Sequence, residues 1–258
     1  MNANSADRPT ARPAIQVRNV TKRFQYWSER PSTLKSVLVN AARGKFNFGE
    51  KKEFTAFADV SLDIAPGEFV SIMGRNGAGK STLLKLISGI YTPTRGSIQV
   101  DGRIAPLIEL GAGFHPDLSG YENIFLNASI LGFGKKAAEE ALPRILDFAE
   151  IGDKIYMPVK KYSSGMLVRL GFAVATHLDA PILLVDEVLA VGDAGFREKC
   201  LTKIEELHRA GRTIVLVTHN PEQVKRHCSR CIVIGDQKKL YDGPSEGGAA
   251  AYLEATHP

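Results

Sequence analysis

The residues best suited to do chemistry lie between Gly74 and Ser81, which spell G-x-x-x-x-G-K-S. Glycines in this motif let backbone N–H groups converge on a phosphate; Lys80 reaches the terminal phosphates, and the Ser81 hydroxyl coordinates Mg²⁺. Residues 68–73 predict a buried strand, and residues 82–88 predict a helix whose positive end faces the anion. A chance glycine turn would not need this strand–loop–helix setting. We therefore expect nucleotide contacts from Gly74, Asn76, Gly77, Ala78, Gly79, Lys80, Ser81 and Thr82.

Two carboxylates, Asp186 and Glu187, follow the apolar run at residues 182–185. Open α/β sheets bind ligands at the carboxyl ends of their strands, so Asp186 is predicted to bind Mg²⁺ and Glu187 to activate an attacking water. A solvated carboxylate pair is the alternative. His219 ends another apolar run; a histidine there is usually a turn residue, yet beside Lys80 and Glu187 it can donate to a γ-phosphate. Lys80, Glu187 and His219 are thus the candidate catalytic residues.

A second anion site is predicted at residues 162–166, where Ser163 is a plausible N-cap and Gly165 adds a backbone N–H group at a helix N-terminus. One ATP has one γ-phosphate, which the loop at residues 74–81 already holds. A second phosphate clamp is useful if it serves a nucleotide bound to another copy of the chain.

The elements that position these residues belong to a chain of 258 residues that is 44% hydrophobic, enough for one large or two small domains. No apolar run approaches membrane-spanning length, and residues 1–13 are polar and basic with no secretory pattern, so we expect a cytoplasmic chain with a disordered tail at 1–13. The formal charge of +5 and the isoelectric point near 9.0 would suit nucleic acid, an anionic membrane face or a mildly basic ATPase.

The order of predicted elements indicates an α/β fold. Alternation predicts strands at residues 15–24 and 57–64, a strand at 97–100, a hairpin turn at Asp101 and Gly102, and a further strand to residue 108. Helical periodicity covers 121–131, 135–150 and 165–177. Apolar runs at 181–186, 213–218 and 231–234, separated by helical segments 193–210 and 221–227, predict a parallel sheet covered on both faces. A hairpin at 238–241 and a helix at 247–255 complete the chain.

Two features allow more than one interpretation. Cys228 and Cys231 form C-x-x-C, but Cys200 alone does not complete a zinc site, so packing roles at a helix end and a strand start are favoured. Residues 28–53 combine apolar residues at helical spacing with a basic and aromatic stretch. They predict either a surface helix over a sheet edge or an amphipathic element near a membrane or a partner.

Taken together, these motifs resemble those of the ATP-binding cassette (ABC) ATPases over nearly the whole chain. Residues 74–82 resemble Walker A, 182–187 Walker B, 162–166 the signature motif and 190–193 the D-loop with Asp193, while His219 resembles the switch histidine. The resemblance implies a P-loop NTPase core with a mixed parallel sheet, an antiparallel β subdomain and a helical insert at about 115–177, in one domain from 14 to 258. Phe24 stands where the family places an adenine-stacking aromatic; Tyr26 is a nearby substitute, and a core or hairpin role is the alternative.

The same resemblance implies how the chain works. It implies ATP and Mg²⁺ as cofactors, a head-to-tail homodimer in which Ser163 and Gly165 contact the other copy's ATP, and a membrane permease that senses motion through the helical insert. Two departures stand out. Tyr162, Ser164 and Met166 replace the usual leucine, glycine and glutamine of the signature, and Glu109 occupies the expected place of the Gln-loop glutamine, where a carboxylate would bind Mg²⁺.

Residues 109–116, 162–166 and 190–193 resemble the ATPases of bacterial exporters of O-antigen, teichoic acid or capsule-type glycans. The implied function is ATP hydrolysis that drives a lipid-linked polysaccharide across the inner membrane, from its cytoplasmic face. Alternatives are an ABC ATPase that acts in translation or DNA repair, one coupled to another exported substrate, and a P-loop kinase. A kinase has no reason to keep Ser163, Gly165 and His219 together, and nucleic-acid binding is not expected.

Overall fold

A six-stranded sheet forms the centre of the molecule. The computed structural model describes residues 12–27, 51–108, 110–186 and 194–256. Five of the strands are parallel, and the last is antiparallel to its neighbour. In spatial order they are β5 (Ile104–Leu107), β6 (Ile182–Val185), β7 (Thr213–Val217), β3 (Phe69–Met73), β8 (Arg230–Gly235) and β9 (Lys238–Pro244). The parallel sheet predicted from the apolar runs is confirmed, and the antiparallel edge strand makes the sheet mixed, as the resemblance implies.

A separate antiparallel sheet has three strands, in the order β2 (Lys51–Ile64), β1 (Ile15–Trp27) and β4 (Arg95–Val100). The predicted hairpin at Asp101 and Gly102 is wrong, because β4 pairs with β1 whereas β5 pairs with β6 in the other sheet. The Asp-Gly pair marks the bend correctly, but the backbone N–H of Asp101 donates to the carbonyl oxygen of Ala14, 2.9 Å away. A turn signal does not specify which partner the next strand will find.

The helices lie where 3.6-residue periodicity places them, to within two residues at each predicted end. They are α1 (Lys80–Ile87), α2 (Gly120–Ile130), α3 (Lys135–Ala149), α4 (Ser164–His177), α5 (Ala194–Arg209), α6 (Pro221–His227) and α7 (Ser245–Thr256), with short 3-10 helices at Gly152–Tyr156 and Val159–Lys161. In the described part of the chain, no helix combines the length and the apolar character needed to cross a bilayer.

Two hydrophobic cores lie on opposite faces of the central sheet. Along β6 the side chains alternate: Leu183 and Val185 face the core shared with α2, α3, α4 and α5, while Ile182 and Leu184 face the other core. This second core contains α1 and the inner face of the antiparallel sheet, with Leu83 and Phe57 fully buried. The period of two along each strand thus attaches α1 and the helical insert to the same rigid sheet.

Two predicted segments fall mainly outside the described residues. Residues 1–11 of the predicted tail and 28–50 of the predicted insertion are among them. Residues 51–53 of that insertion belong to β2. The cysteines are buried, with Cys228 capping α6 and Cys231 inside β8, as the packing interpretation predicts.

Candidate active site

The phosphate loop (residues 74–81) connects β3 to α1, and its glycines are required by the space around them. A Cβ atom at Gly74 would collide with the carbonyl oxygen of Ile234, at the end of β8. Gly79 has φ 97°, in the left-handed region, and a Cβ there would lie 3.0 Å from the Phe57 ring. Neither position accepts a side chain. The loop backbone is therefore held against β8 on one side and the antiparallel sheet on the other.

Lys80 crosses the loop from the first turn of α1. Its side chain is buried, and Nζ donates to the carbonyl oxygens of Gly74, at 2.8 Å, and Arg75, at 3.0 Å. Burial lowers the pKa of Lys80, and the nearby Asp186 carboxylate opposes that change. The ammonium group is thus fixed within the loop, where its donors can reach phosphate oxygens.

Ser81 and Asp186, about a hundred residues apart in sequence, meet at the carboxyl edge of the sheet. Ser81 Oγ donates to Asp186 Oδ2 at 3.1 Å. Burial raises the pKa of Asp186, while the Ser81 hydrogen bond and the charges of Lys80 and Lys85 oppose this. A hydroxyl and a carboxylate are the hard oxygen donors that Mg²⁺ takes together with phosphate and water. The described residues contain no cluster of three or more His, Cys, Asp or Glu that could hold a metal by itself, so phosphate and water would have to complete the coordination.

His219 lies at the same edge. It follows β7, which pairs in parallel with β3 so that Val217 is in register with Ile72. The backbone N–H of Thr218 donates to the carbonyl oxygen of Ile72 at 3.4 Å, and the imidazole that follows is exposed. Strands β6, β7 and β3 therefore deliver Asp186, His219 and the phosphate loop side by side. Glu187, Asp193 and Glu109 lie outside the described residues, so their predicted roles stay predictions.

Ser163 caps α4, as predicted. Its Oγ accepts a hydrogen bond from the backbone N–H of Met166 at 3.3 Å, and its φ and ψ of −71° and 160° are those of an N-cap residue. Gly165 lies in the first turn, where the nearest atom to an added Cβ would be Ser163 Oγ at 3.9 Å. Tyr162 is buried and donates to the carbonyl oxygen of Lys154 at 2.8 Å. The unusual tyrosine of the signature therefore anchors the start of α4, leaving Ser163 exposed.

The two aromatic residues predicted to contact adenine, Phe24 and Tyr26, lie in different surroundings. The Phe24 ring packs edge-on against Tyr91, with centroids 5.5 Å apart, and Lys22 Nζ lies 4.9 Å above it. Tyr26 is 51% exposed near the end of β1. A cavity of about 470 Å³ beside loop residues 75–78 is lined by Phe54 of β2 and, among the described residues, by neither Phe24 nor Tyr26. Phe54 was missed because it lies between the predicted insertion, which ends at residue 53, and the predicted strand, which begins at residue 57; β2 in fact starts at Lys51.

Asn123 is a second residue that sequence reasoning missed. It is fully buried in α2; its Oδ1 accepts from the backbone N–H of His115 at 2.7 Å, and its Nδ2 donates to the carbonyl oxygen of the same residue at 3.1 Å. One turn later, Asn127 Nδ2 donates to the carbonyl oxygen of Ala112 at 3.3 Å. These amides fix the loop that follows β5. The Ser119-x-x-Glu122 capping box at the start of α2 was the available signal for this helix start.

The site combines a phosphate loop on a mainly parallel sheet with a hydroxyl–carboxylate pair at the end of a nearby strand. This combination defines a P-loop nucleoside triphosphatase. A family model described as ABC transporter matches residues 57–190. The O-antigen export system ATP-binding protein RfbB of Klebsiella pneumoniae is 42% identical over 243 residues, which cover 94% of this chain and 98% of that protein. The chain therefore belongs to the ABC transporter family, as one of its ATPase subunits.

Of two further comparisons, the first supports the family and the second supports the fold alone. The teichoic acids export ATP-binding protein TagH of Bacillus anthracis is 37% identical over 236 residues, which cover 88% of this chain and 42% of that protein. Among solved structures, the dimeric post-hydrolysis structure of the ATP-binding cassette MJ0796 bound to ADP and Pi has a TM-score of 0.69 at 24% identity. The matched region covers 90% of this chain and 98% of the MJ0796 chain. The fold predicted from the motifs is confirmed.

Proposed function

We propose that this chain is the ATP-hydrolysing subunit of an exporter that moves a lipid-linked polysaccharide across the bacterial inner membrane. The observation that carries the ATPase part is the meeting of Ser81 with Asp186 at 3.1 Å, next to the buried Lys80. The names of the O-antigen and teichoic acid export relatives support the substrate class.

The loop would bind the β- and γ-phosphates with its backbone N–H groups, while Lys80 donates to their oxygens. Ser81 and Asp186 would hold Mg²⁺, which neutralises phosphate charge when it is bound. Glu187 would accept the proton of the attacking water, and His219 would donate to the γ-phosphate. Adenine would stack on an aromatic of the β1–β2 pair; Phe24 and Tyr26 are the sequence candidates, and Phe54 lines the cavity beside the loop.

The second half of the site would come from a second copy of the chain. Ser163 is exposed at the N-terminus of α4, so its hydroxyl and the N–H of Gly165 can face a γ-phosphate held by the partner subunit. Asp193 would lie between the two sites. The resulting head-to-tail dimer would close on ATP and open after hydrolysis.

The permease would contact a groove between the core and the helical insert. A cavity of about 460 Å³ lies between the end of α1, strand β5, the loop at residues 110–113 and helices α2 and α4. Ile90 and Ile130, two of its lining residues, are 58% and 59% exposed, which is unusual for isoleucine and typical of an interaction surface. A peripheral position on the cytoplasmic face of the membrane follows from this contact.

The test replaces the predicted base and compares it with a surface glutamate. Glu187→Gln should retain ATP binding, trap a dimer on size-exclusion chromatography and abolish steady-state hydrolysis, whereas Glu139→Gln, on the exposed face of α3, should behave as the wild type. Unchanged hydrolysis in Glu187→Gln would remove Glu187 from the base role.

The transport part has its own test. Ile130→Asp should reduce co-purification with the permease encoded nearby while the ATP affinity of the isolated subunit stays unchanged. Stoichiometric binding to ribosomes or DNA without any permease association would favour the translation or repair alternative, and export of another substrate would show in a transport assay with that permease.

A further inference from the structure

The β1–β2 pair extends beyond the three-stranded sheet as a two-stranded ribbon. Strand β4 pairs with β1 only as far as Thr21, in register with Arg95, while β1 continues to Trp27 and pairs there with β2 alone. The end of this ribbon carries Tyr26, Trp27, Lys51 and Lys52, which we call the ribbon tip. All four side chains are exposed.

Each face of the ribbon tip combines an aromatic ring with a lysine. Trp27 is in register with Lys51, and Tyr26 with Lys52. Residues directly opposite each other in an antiparallel pair share a face, and successive residues alternate between faces. Trp27 and Tyr26 are 46% and 51% exposed, although tryptophan is on average highly buried in folded proteins.

In the sequence, most of the net positive charge of the chain falls between the two strands of the ribbon and on Lys51 and Lys52. Residues 26–52 contain six lysines and arginines and two glutamates, so they carry +4 of the formal charge of +5. The rest of the chain is close to neutral. A ribbon tip that presents tryptophan and tyrosine beside two exposed lysines matches the chemistry of an anionic bilayer surface, where amphipathic rings lie at the level of the headgroups and lysines approach the phosphates.

We propose that the ribbon tip binds directly to the anionic surface of a lipid bilayer, in addition to any contact the subunit makes with a permease. Trp27 and Tyr26 enter the headgroup region, and Lys51 and Lys52 approach lipid phosphates. The surface is distinct from the phosphate loop and from the groove near Ile130, and only Tyr26 is shared with the candidates for adenine stacking, so the binding tests use Trp27, Lys51 and Lys52. Its failure in a binding test would therefore leave the ATPase and transport assignments unaffected.

Trp27 is the single tryptophan of the chain, so its fluorescence reports on the ribbon tip alone. The purified full chain is mixed with vesicles of phosphatidylcholine, or of phosphatidylcholine with phosphatidylglycerol. The emission should shift to shorter wavelength with the anionic vesicles only, and the shift should weaken when the salt concentration rises from about 0.1 M to about 0.5 M. Emission that does not change with anionic vesicles, or that changes equally with both kinds, overturns the proposal.

A matched pair of variants tests the lysines by vesicle sedimentation. Lys51→Gln combined with Lys52→Gln should weaken binding to anionic vesicles about thirtyfold at low salt, since each lysine at such a surface contributes about fivefold. Lys135→Gln combined with Lys136→Gln removes the same charge from the exposed start of α3 and should leave binding unchanged. Both variants should keep wild-type ATPase activity, which shows that they fold. Equal weakening by the two pairs would mean that net charge alone drives binding, and the ribbon tip would then have no special part.

Discussion

Ser163 has an observed structural role and a proposed catalytic role, which substitutions can separate. The structure shows its side chain as the N-cap of α4, and the proposed mechanism also aims its hydroxyl at a γ-phosphate held by a second copy. Ser163→Ala removes both. Loss of an exposed cap with a 3.3 Å hydrogen bond should cost about 1 kcal/mol of unfolding free energy, which lowers the Tm by about 2–4 °C in a chain of this length.

The effect on hydrolysis should be much larger than this stability loss implies. A hydrogen bond to a charged group contributes about 1.5–3 kcal/mol, so Ser163→Ala should reduce kcat by about ten- to a hundredfold. Ser163→Asp retains an oxygen that accepts from Met166 and places a negative charge at a helix N-terminus, so its Tm should equal or exceed that of the wild type. Its carboxylate would repel the γ-phosphate, so hydrolysis should fall further than in Ser163→Ala.

Ser119 provides the control because it caps α2 in the same helical insert, where its hydroxyl accepts from the backbone N–H of Glu122 at 3.2 Å. Ser119→Ala should lower the Tm by a similar amount and leave kcat unchanged. The assays are thermal denaturation, steady-state phosphate release and ATP binding to the monomer, which all three variants should keep. Equal loss of activity in Ser119→Ala and Ser163→Ala, or wild-type hydrolysis by Ser163→Asp, would refute the role in a composite site.

Three other predictions concern charge and space. Burial raises the pKa of Asp186, so the stability that this carboxyl contributes is complete at low pH and is lost as the pH rises through the raised pKa. Asp186→Asn should therefore raise the Tm of the nucleotide-free protein at neutral pH, while Mg²⁺-dependent hydrolysis falls at least about tenfold. A lower Tm would contradict this. Burial lowers the pKa of His177, so the folded protein should lose stability as the pH falls below the ordinary histidine pKa of 6.5. A His177→Gln variant should show a smaller drop in Tm on acidification. An identical drop would exclude His177 as the cause. Gly74→Ala should destabilise the protein by about 1–3 kcal/mol and abolish ATP binding, because the added Cβ collides with backbone. The control is Gly134→Ala, since an added Cβ there has nothing within 4 Å. It should cost less than about 1 kcal/mol and keep ATP binding.

The parts of the site that could be predicted from sequence are those that a local pattern specifies. The phosphate loop needs its glycines, lysine and serine at fixed spacing, so the motif predicts the loop without knowledge of the rest of the chain. The strand before Asp186 is a run of apolar residues, and the carboxyl edge of a parallel sheet is where such a strand delivers its last side chain. The contact of Ser81 with Asp186 follows from these two local facts and the rule for open sheets.

What could not be predicted depends on partners far away in sequence. The Asp101–Gly102 turn indicates a bend, but the choice of β6 over β4 as the partner of β5 is made by burial in the central sheet. Asn123 has no motif of its own; its role depends on backbone groups of residues 115–119 that the fold brings over α2. Phe54 likewise acquires its place beside the phosphate loop only when β2 pairs with β1.

The collision that excludes a side chain at Gly74 also bears on the energetics of nucleotide capture. With the carbonyl of Ile234 behind it and the ammonium of Lys80 bonded across it, the loop has already lost its conformational entropy when the chain folds. ATP therefore meets a rigid receptor, and little of the binding free energy is consumed in ordering the backbone. In the proposed mechanism, the remainder is available for drawing two subunits together.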